Sequence, residues 1–277
     1  MRTTKFPNGD SVPVLGQGTW HMAEEPLRRR NEIMALRTGL DLGLTLIDTA
    51  EMYASGEAEV LVGEAITGRR DQVFLVDKVL PMHATKAGTI AACEASLRRL
   101  STDRIDLYLL HWRSDASLEE TIAGFEALIS AGKIRSWGLS NFDVPDMRDV
   151  VNTPGGAECQ TDQVLYNLAR RGIEWDLLPW CRERAMPIMA YSPIEQGELA
   201  HRRVVERVAA RHDAKPAQIA LAWVLRQEGV IAIPKAGTPA HVRENCRALE
   251  IRLTKRDLAE LDQSFPPPTR AQPLEII

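Results

Sequence analysis

Two hydrophobic rhythms alternate along this chain. Runs such as Phe74–Leu75–Val76 are apolar without a break, whereas Ile90, Cys93, Leu97 and Leu100 recur at the spacing of one helix face. The unbroken kind predicts strands at Val12–Thr19, Leu44–Asp48, Val73–Lys78, Ile105–Leu110, Ile134–Ser140, Gln160–Tyr166, Pro187–Tyr191 and Val230–Ile233. Strands without polar alternation need cover on both faces, as in a parallel sheet sheathed by helices. Leu118, Ile122, Phe125 and Ile129 mark a second helix face. Ser117-x-x-Glu120 opens that helix as a capping box, and Gly132 closes it with a residue suited to a left-handed cap. Repeated strand–helix alternation predicts an α/β fold, a (β/α)8 TIM barrel. Asn8–Gly9 reads as the turn of an N-terminal β-hairpin ahead of the first barrel strand, and Pro266–Pro268 as the departure of a tail from the last helix. No internal repeat or linker divides the chain, so residues 1–277 are expected to form a single barrel domain.

Composition narrows the function. The chain has 277 residues, enough for one barrel of about 250. Its 34 Lys and Arg against 38 Asp and Glu give a net charge of −4, with no basic block to attract nucleic acid or an anionic membrane. MRTTKFPNGD lacks the apolar centre of a secretory signal, and no run approaches the ~18 apolar residues of a membrane span. The expected compartment is the cytoplasm, and the expected state a monomer. Cys93, Cys159, Cys181 and Cys246 are scattered and read as reduced thiols. The six histidines show no metal-ligand pairing, so no metal is expected. Gly16-Gln17-Gly18 lacks the third glycine of a dinucleotide-binding loop. Gly138-Leu139-Ser140-Asn141-Phe142 ends in Phe where a nucleophile elbow needs Gly.

In a barrel, polar residues at the C-terminal ends of strands face the substrate. Asp48 ends the second predicted strand, with Tyr53 in the loop beyond it. Lys78 ends the third and His111 follows the fourth. Any one of them alone could be a cap, a solvated lysine or a packing residue. Four ionisable groups of complementary type at one rim point to proton-transfer chemistry. Tyrosine is a reluctant acid or base, with a pKa of about 10; a neighbouring ammonium favours its phenolate, and a carboxylate can hold that ammonium.

The segments GLTLIDTAEMY, VFLVDK, IDLYLLHW, GLSNF, AYSP and IPK…EN resemble the aldo-keto reductase superfamily in order and spacing, from the Asn8–Gly9 hairpin to Asn245. Within it, the chain is most similar to bacterial members that reduce methylglyoxal and other small aldehydes. The resemblance implies hydride transfer from NADPH to a carbonyl, with Asp48, Tyr53, Lys78 and His111 as the catalytic tetrad and Tyr53 as proton donor. It also implies that Tyr191 stacks on the nicotinamide, that Ser140, Asn141 and Gln163 hold its carboxamide, and that the loop Ser192–Arg202, with Ser192 and Pro193 at its start, forms a short cofactor belt. Lys235, Thr238, His241, Glu244 and Asn245 match positions around the adenosine 2′-phosphate and adenine. Many members carry Ser at the position of Ala236 and Arg at that of His241, which leaves NAD(H) usable with a weaker preference for NADP(H). The substrate pocket is expected to involve Trp20, Met52, Leu80, Trp112 and the tail after Phe265, and to be open enough for varied small carbonyls. A cofactor-binding regulatory subunit and a different barrel lyase or isomerase are the alternatives.

Overall fold

The computed structural model describes the chain from Met1 to Ile277. Strands β1 (Thr3–Lys5) and β2 (Ser11–Pro13) form an antiparallel hairpin, turned where Gly9 takes φ +91°, a conformation that favours glycine. Eight parallel strands follow: β3 (Gln17–Gly18), β4 (Leu46–Asp48), β5 (Phe74–Val79), β6 (Ile105–Leu110), β7 (Ile134–Ser140), β8 (Asp162–Leu165), β9 (Ile188–Tyr191) and β10 (Val230–Ala232). Sequence neighbours are sheet neighbours throughout. The ring closes where Gly16 N donates to Ala232 O at 2.9 Å and Ala232 N to Val14 O at 2.9 Å. Around it run α1 (Arg29–Asp41), α2 (Glu57–Ile66), α3 (Lys86–Leu100), α4 (Leu118–Ser130), α5 (Val144–Asn152), α6 (Leu177–Arg182), α7 (Arg203–Arg211), α8 (Pro216–Leu225), α9 (Pro239–Arg247) and α10 (Lys255–Ser264).

Three local expectations need correction. The run Val12–Thr19 is not one strand: its start pairs within the hairpin, Leu15 bridges β10 at Ala232, and Gln17–Gly18 pair with β4. The change of partner falls at Val14, whose N–H still donates to Arg2 O in the hairpin while its carbonyl accepts from Ala232 N in the barrel. On α4 the buried face runs through Leu118, Ile122, Phe125 and Leu128, and Ile129 is exposed. The capping box is half formed: Ser117 Oγ accepts from Glu120 N, but the Glu120 carboxylate accepts instead from Lys86 N at the start of α3. Gly132 does take the left-handed cap, at φ +70°.

Period-two alternation sorts the strands into an outer layer, packed on the helices, and an interior. Leu46, Val76, Leu107, Leu109, Met189, Ile231 and Ile233 point inward and pack as one cluster with Phe6 and Val12 of the hairpin. The hairpin thus stoppers the N-terminal end of the barrel, and the Phe6 and Phe74 rings stack at 5.5 Å. Arg135, bonded to Asp10, helps hold it there.

Candidate active site

The same alternation builds the site. Two positions beyond Leu46, Val76, Leu109, Met189 and Ile233, the chain places Asp48, Lys78, His111, Tyr191 and Lys235. A polar ring therefore stands directly on an apolar floor. Above it opens a cavity of about 390 Å³.

Lys78 lies beneath the cavity with a fully buried side chain, and all three of its ammonium hydrogens are committed. Nζ donates to Asp48 Oδ2 at 2.8 Å, to Thr49 O at 2.9 Å and to Tyr53 Oη at 3.1 Å. Asp48 is itself fixed by Gln163 Nε2, which donates to Oδ1 at 2.7 Å. Because Lys78 donates into the phenol oxygen, the hydrogen of Tyr53 is left to point elsewhere. Tyr53 is carried on the turn Tyr53–Gly56, where Ala54 and Ser55 adopt φ +47° and +54°. Left-handed geometry costs a non-glycine residue about 1–2 kcal/mol, so packing must hold this turn in place. The His111 ring meets Tyr53 edge-on, with centroids 5.8 Å apart, and its Nδ1 is buried without a partner.

These surroundings set the proton chemistry. Burial raises the Tyr53 phenol above its ordinary value, and Lys78 opposes but does not cancel that shift. The net lowering expected from the lysine alone is thus corrected: desolvation wins. Burial works against the Lys78 ammonium, but Asp48 and Tyr53 outweigh it and leave its pKa raised. Burial, then the Lys78 charge, lowers the His111 imidazole to about 3. At neutral pH the site therefore holds a protonated tyrosine, a charged lysine and a neutral histidine.

Farther along the cavity, Tyr191 Oη donates to Asn141 Oδ1 at 2.9 Å, and Asn141 Nδ2 donates to His111 O and Ser140 Oγ. Ser140 Oγ donates to Gln163 O at 2.8 Å, so its hydroxyl is a structural link and not a nucleophile. Ser140, Asn141, Gln163, Tyr191, Ser192 and Pro193 all line the cavity, as do Trp20, Met52 and Trp112. Lys235 lines its far end and makes no ion pair. Beside it begins α9, where Thr238 Oγ1 caps by accepting from His241 N. An unpaired cation next to a helix N-terminus fits a phosphate, and the ring-and-amide cluster fits a nicotinamide. The donor set thus suits a dinucleotide running from Tyr53 to Lys235.

Some expected residues stand elsewhere. Leu80 does not line the cavity; its backbone N–H is drawn aside to Glu51 Oε1 at 2.7 Å, which corrects its place in the pocket. Thr238, His241, Glu244 and Asn245 lie on α9 or at its cap, outside the main cavity. Glu244 pairs with Lys215, and Arg243 Nη1 folds back to Pro239 O. His21 and Ile233 line the cavity without having been singled out by sequence, whereas Gln196 and Gly197 were expected only as part of the belt loop Ser192–Arg202, and Ile276 and Ile277 only as part of the tail. His21 follows Trp20 directly, and that adjacency was the available signal.

The profile of the Aldo/keto reductase family matches residues 14–265. Methylglyoxal reductase YeaE of Escherichia coli is 52% identical over 282 residues, covering 100% of this chain and 99% of the relative. A glyoxal reductase of Bacillus subtilis is 30% identical over 262 residues, covering 94% and 91%. Among solved structures, an aldo-keto reductase from Klebsiella pneumoniae in complex with NADPH superposes with a TM-score of 0.97 at 50% identity, covering 100% of this chain and 99% of that one.

Proposed function

Because the chain belongs to the aldo/keto reductase family, we propose that it reduces small aldehydes and ketones such as methylglyoxal to alcohols with NADPH, with Tyr53 as proton donor. The observation that carries this reading is the Lys78 ammonium donating into the Tyr53 oxygen, at 3.1 Å, beneath the cavity. NADPH supplies the hydride. The chain's own residues manage the charge that hydride addition places on the carbonyl oxygen.

Tyr53 stays protonated until that charge develops, then donates its free hydrogen toward the cavity. Lys78 stabilises the phenolate left behind, and Asp48 keeps the ammonium charged and aimed. Neutral His111 orients the carbonyl oxygen, a role that needs a hydrogen bond and not a charge. Tyr191 offers a flat face for the nicotinamide, with Ser140, Asn141 and Gln163 near its amide. Lys235, Thr238 and His241 would hold the 2′-phosphate, Glu244 and Asn245 would meet the adenine, and NADH would be accepted less well. Trp20, Met52 and Trp112 at the mouth leave room for a small substrate.

No helix is long and apolar enough to cross a membrane. The intact tetrad gives no support to a regulatory subunit without turnover. Steady NADPH consumption with methylglyoxal, followed by nicotinamide absorbance, tests the proposal. NADPH binding without turnover of any small aldehyde would sink it, and efficient reduction of bulky steroid ketones would contradict the small-substrate pocket.

A further inference from the structure

The turn after β8 grips two walls of the cavity at once. Asn167 and Arg170 close it through reciprocal backbone bonds, Asn167 N to Arg170 O at 3.3 Å and Arg170 N to Asn167 O at 3.1 Å. From this turn, buried Asn167 donates through Nδ2 to Ser192 O at 2.9 Å and Glu195 Oε2 at 2.6 Å. Arg170 Nε donates to Glu195 Oε1 at 2.8 Å, and its Nη1 donates to Glu275 Oε1 at 2.7 Å. Neither carboxylate pairs with any other cation. Glu195 belongs to the loop beyond β9, Glu275 to the C-terminal tail. Arg171, the next residue, turns inward and fastens the start of the same tail through Phe265 O at 2.6 Å.

Both gripped segments have reason to move. Ser192, Glu195 and Gln196 hold φ of +45°, +48° and +52° without being glycine, so the loop is kept in its shape from outside. The tail contributes no helix or strand after Ser264. Yet Gln196 and Gly197 from the loop, and Ile276 from the tail, line one cavity.

We propose that Arg170 is a positioning residue that couples the cofactor-side loop Ser192–Gly197 to the substrate-side wall at Ile276, so that loosening either segment loosens the other. This rests on the reductase reading for which side meets cofactor and which meets carbonyl. The guanidinium suits the task because its rigid fork presents separate N–H groups to two carboxylates, whereas a lysine is a single point charge.

The test uses Glu275→Gln, Glu195→Gln, Arg170→Met and Arg170→Lys in the full chain. Amide hydrogen exchange is followed in 192–197 and 271–277 without cofactor, with β6 amides as the control for intact folding. NADPH release is followed by stopped-flow tryptophan fluorescence, and KM and kcat are measured with methylglyoxal. Half-exposed ion pairs are modest, so effects of roughly two- to five-fold are expected. Glu275→Gln should speed exchange in 192–197 and NADPH release. Glu195→Gln should speed exchange in the tail and raise KM while kcat moves less. Neither change should add anything in the Arg170→Met background, and Arg170→Lys should restore one segment but not both. If each glutamine variant loosens only its own segment, or its effect on the other persists without Arg170, the coupling is refuted. The exchange readout needs no turnover, so linked exchange in a protein that failed to reduce any aldehyde would refute the reductase reading and leave the coupling standing.

Discussion

Replacing Lys78 by methionine separates what the lysine does for folding from what it does for chemistry. The Lys78 and Asp48 side chains are 0% and 2% exposed, so Lys78→Met leaves a carboxylate in the interior with only the Gln163 amide for support. Breaking a buried pair from one side costs about 3–5 kcal/mol. At about 2–4 °C per kcal/mol for a large domain, thermal unfolding should fall by roughly 6–20 °C. Adding Asp48→Asn removes the stranded charge, and replacing a buried pair by neutral groups is often close to neutral. The double variant should therefore recover most of the lost Tm. It should not recover turnover, because no ammonium then faces the phenol; both variants should lose at least ~10²-fold in kcat. Burial works against the ammonium, but Asp48 and Tyr53 raise its pKa, so the pair's contribution is present below the unfolded lysine value of about 10.4 and fades only above it. The Tm gap between wild type and Lys78→Met should thus be level from pH 6 to 9. The experiment is near-ultraviolet circular dichroism for Tm beside NADPH consumption with methylglyoxal. Equal Tm for the single and double variants would mean that no charge was stranded. Turnover returning in the double variant would mean that the ammonium serves only the fold.

Tyr53→Phe removes one hydroxyl. Fluorescence quenching by NADPH should persist while kcat drops at least ~10²-fold, and a variant within tenfold of wild type would take the phenol out of the mechanism. His111 is neutral in the fold because burial and Lys78 lower it to about 3, against about 6.5 in an unfolded chain. The unfolded state therefore binds the proton first as pH falls, and stability present above pH 6.5 is lost at roughly 1.4 kcal/mol per unit below it. Urea unfolding at pH 6.5 and 4.5 should show a loss of about 2 kcal/mol that His111→Gln abolishes; the same slope in the variant would assign it to other groups. His241→Arg places a permanently charged fork in the first turn of α9 and should tighten NADPH about five-fold with NADH unchanged. Equal tightening of both cofactors would mean that the residue does not meet the 2′-phosphate.

The barrel could be read from sequence because unbroken apolar runs alternate with helical spacing. Asp48, Lys78 and His111 could be placed at one rim because each stands at a predicted strand end; the structure adds the parity of two. Once Leu46 and Val76 are interior, Asp48 and Lys78 must be as well, and strand ends are where such residues become useful. Leu80 obeys the same parity but lies past Val79, the end of β5, where the chain has left the ladder and parity no longer fixes direction. Val12–Thr19 misled because apolar continuity does not reveal that a chain changes partners at Val14. Ile129 lost its place to Leu128 because neighbouring positions on a helix edge satisfy the same spacing rule. Gln196, Gly197 and Ile276 could not have been found from periodicity at all. They reach the cavity through a loop and a tail, and side-chain bonds to a distant turn place them there. The sign of the Tyr53 shift was likewise out of reach, because it depends on how much water the fold removes.

The full commitment of the Lys78 ammonium limits where the next proton can come from. Its hydrogens go to Asp48, Thr49 and Tyr53, and below it lie the apolar floor and the hairpin stopper. None of its hydrogens points away from these three partners. If Tyr53 is the donor, as proposed, its oxygen faces solvent through the cavity that Trp20 and Trp112 also line, and a new proton has that route open to it. On that reading entry of reactant, exit of alcohol and resupply of acid share one cavity, and an occupant lodged there would stall all three.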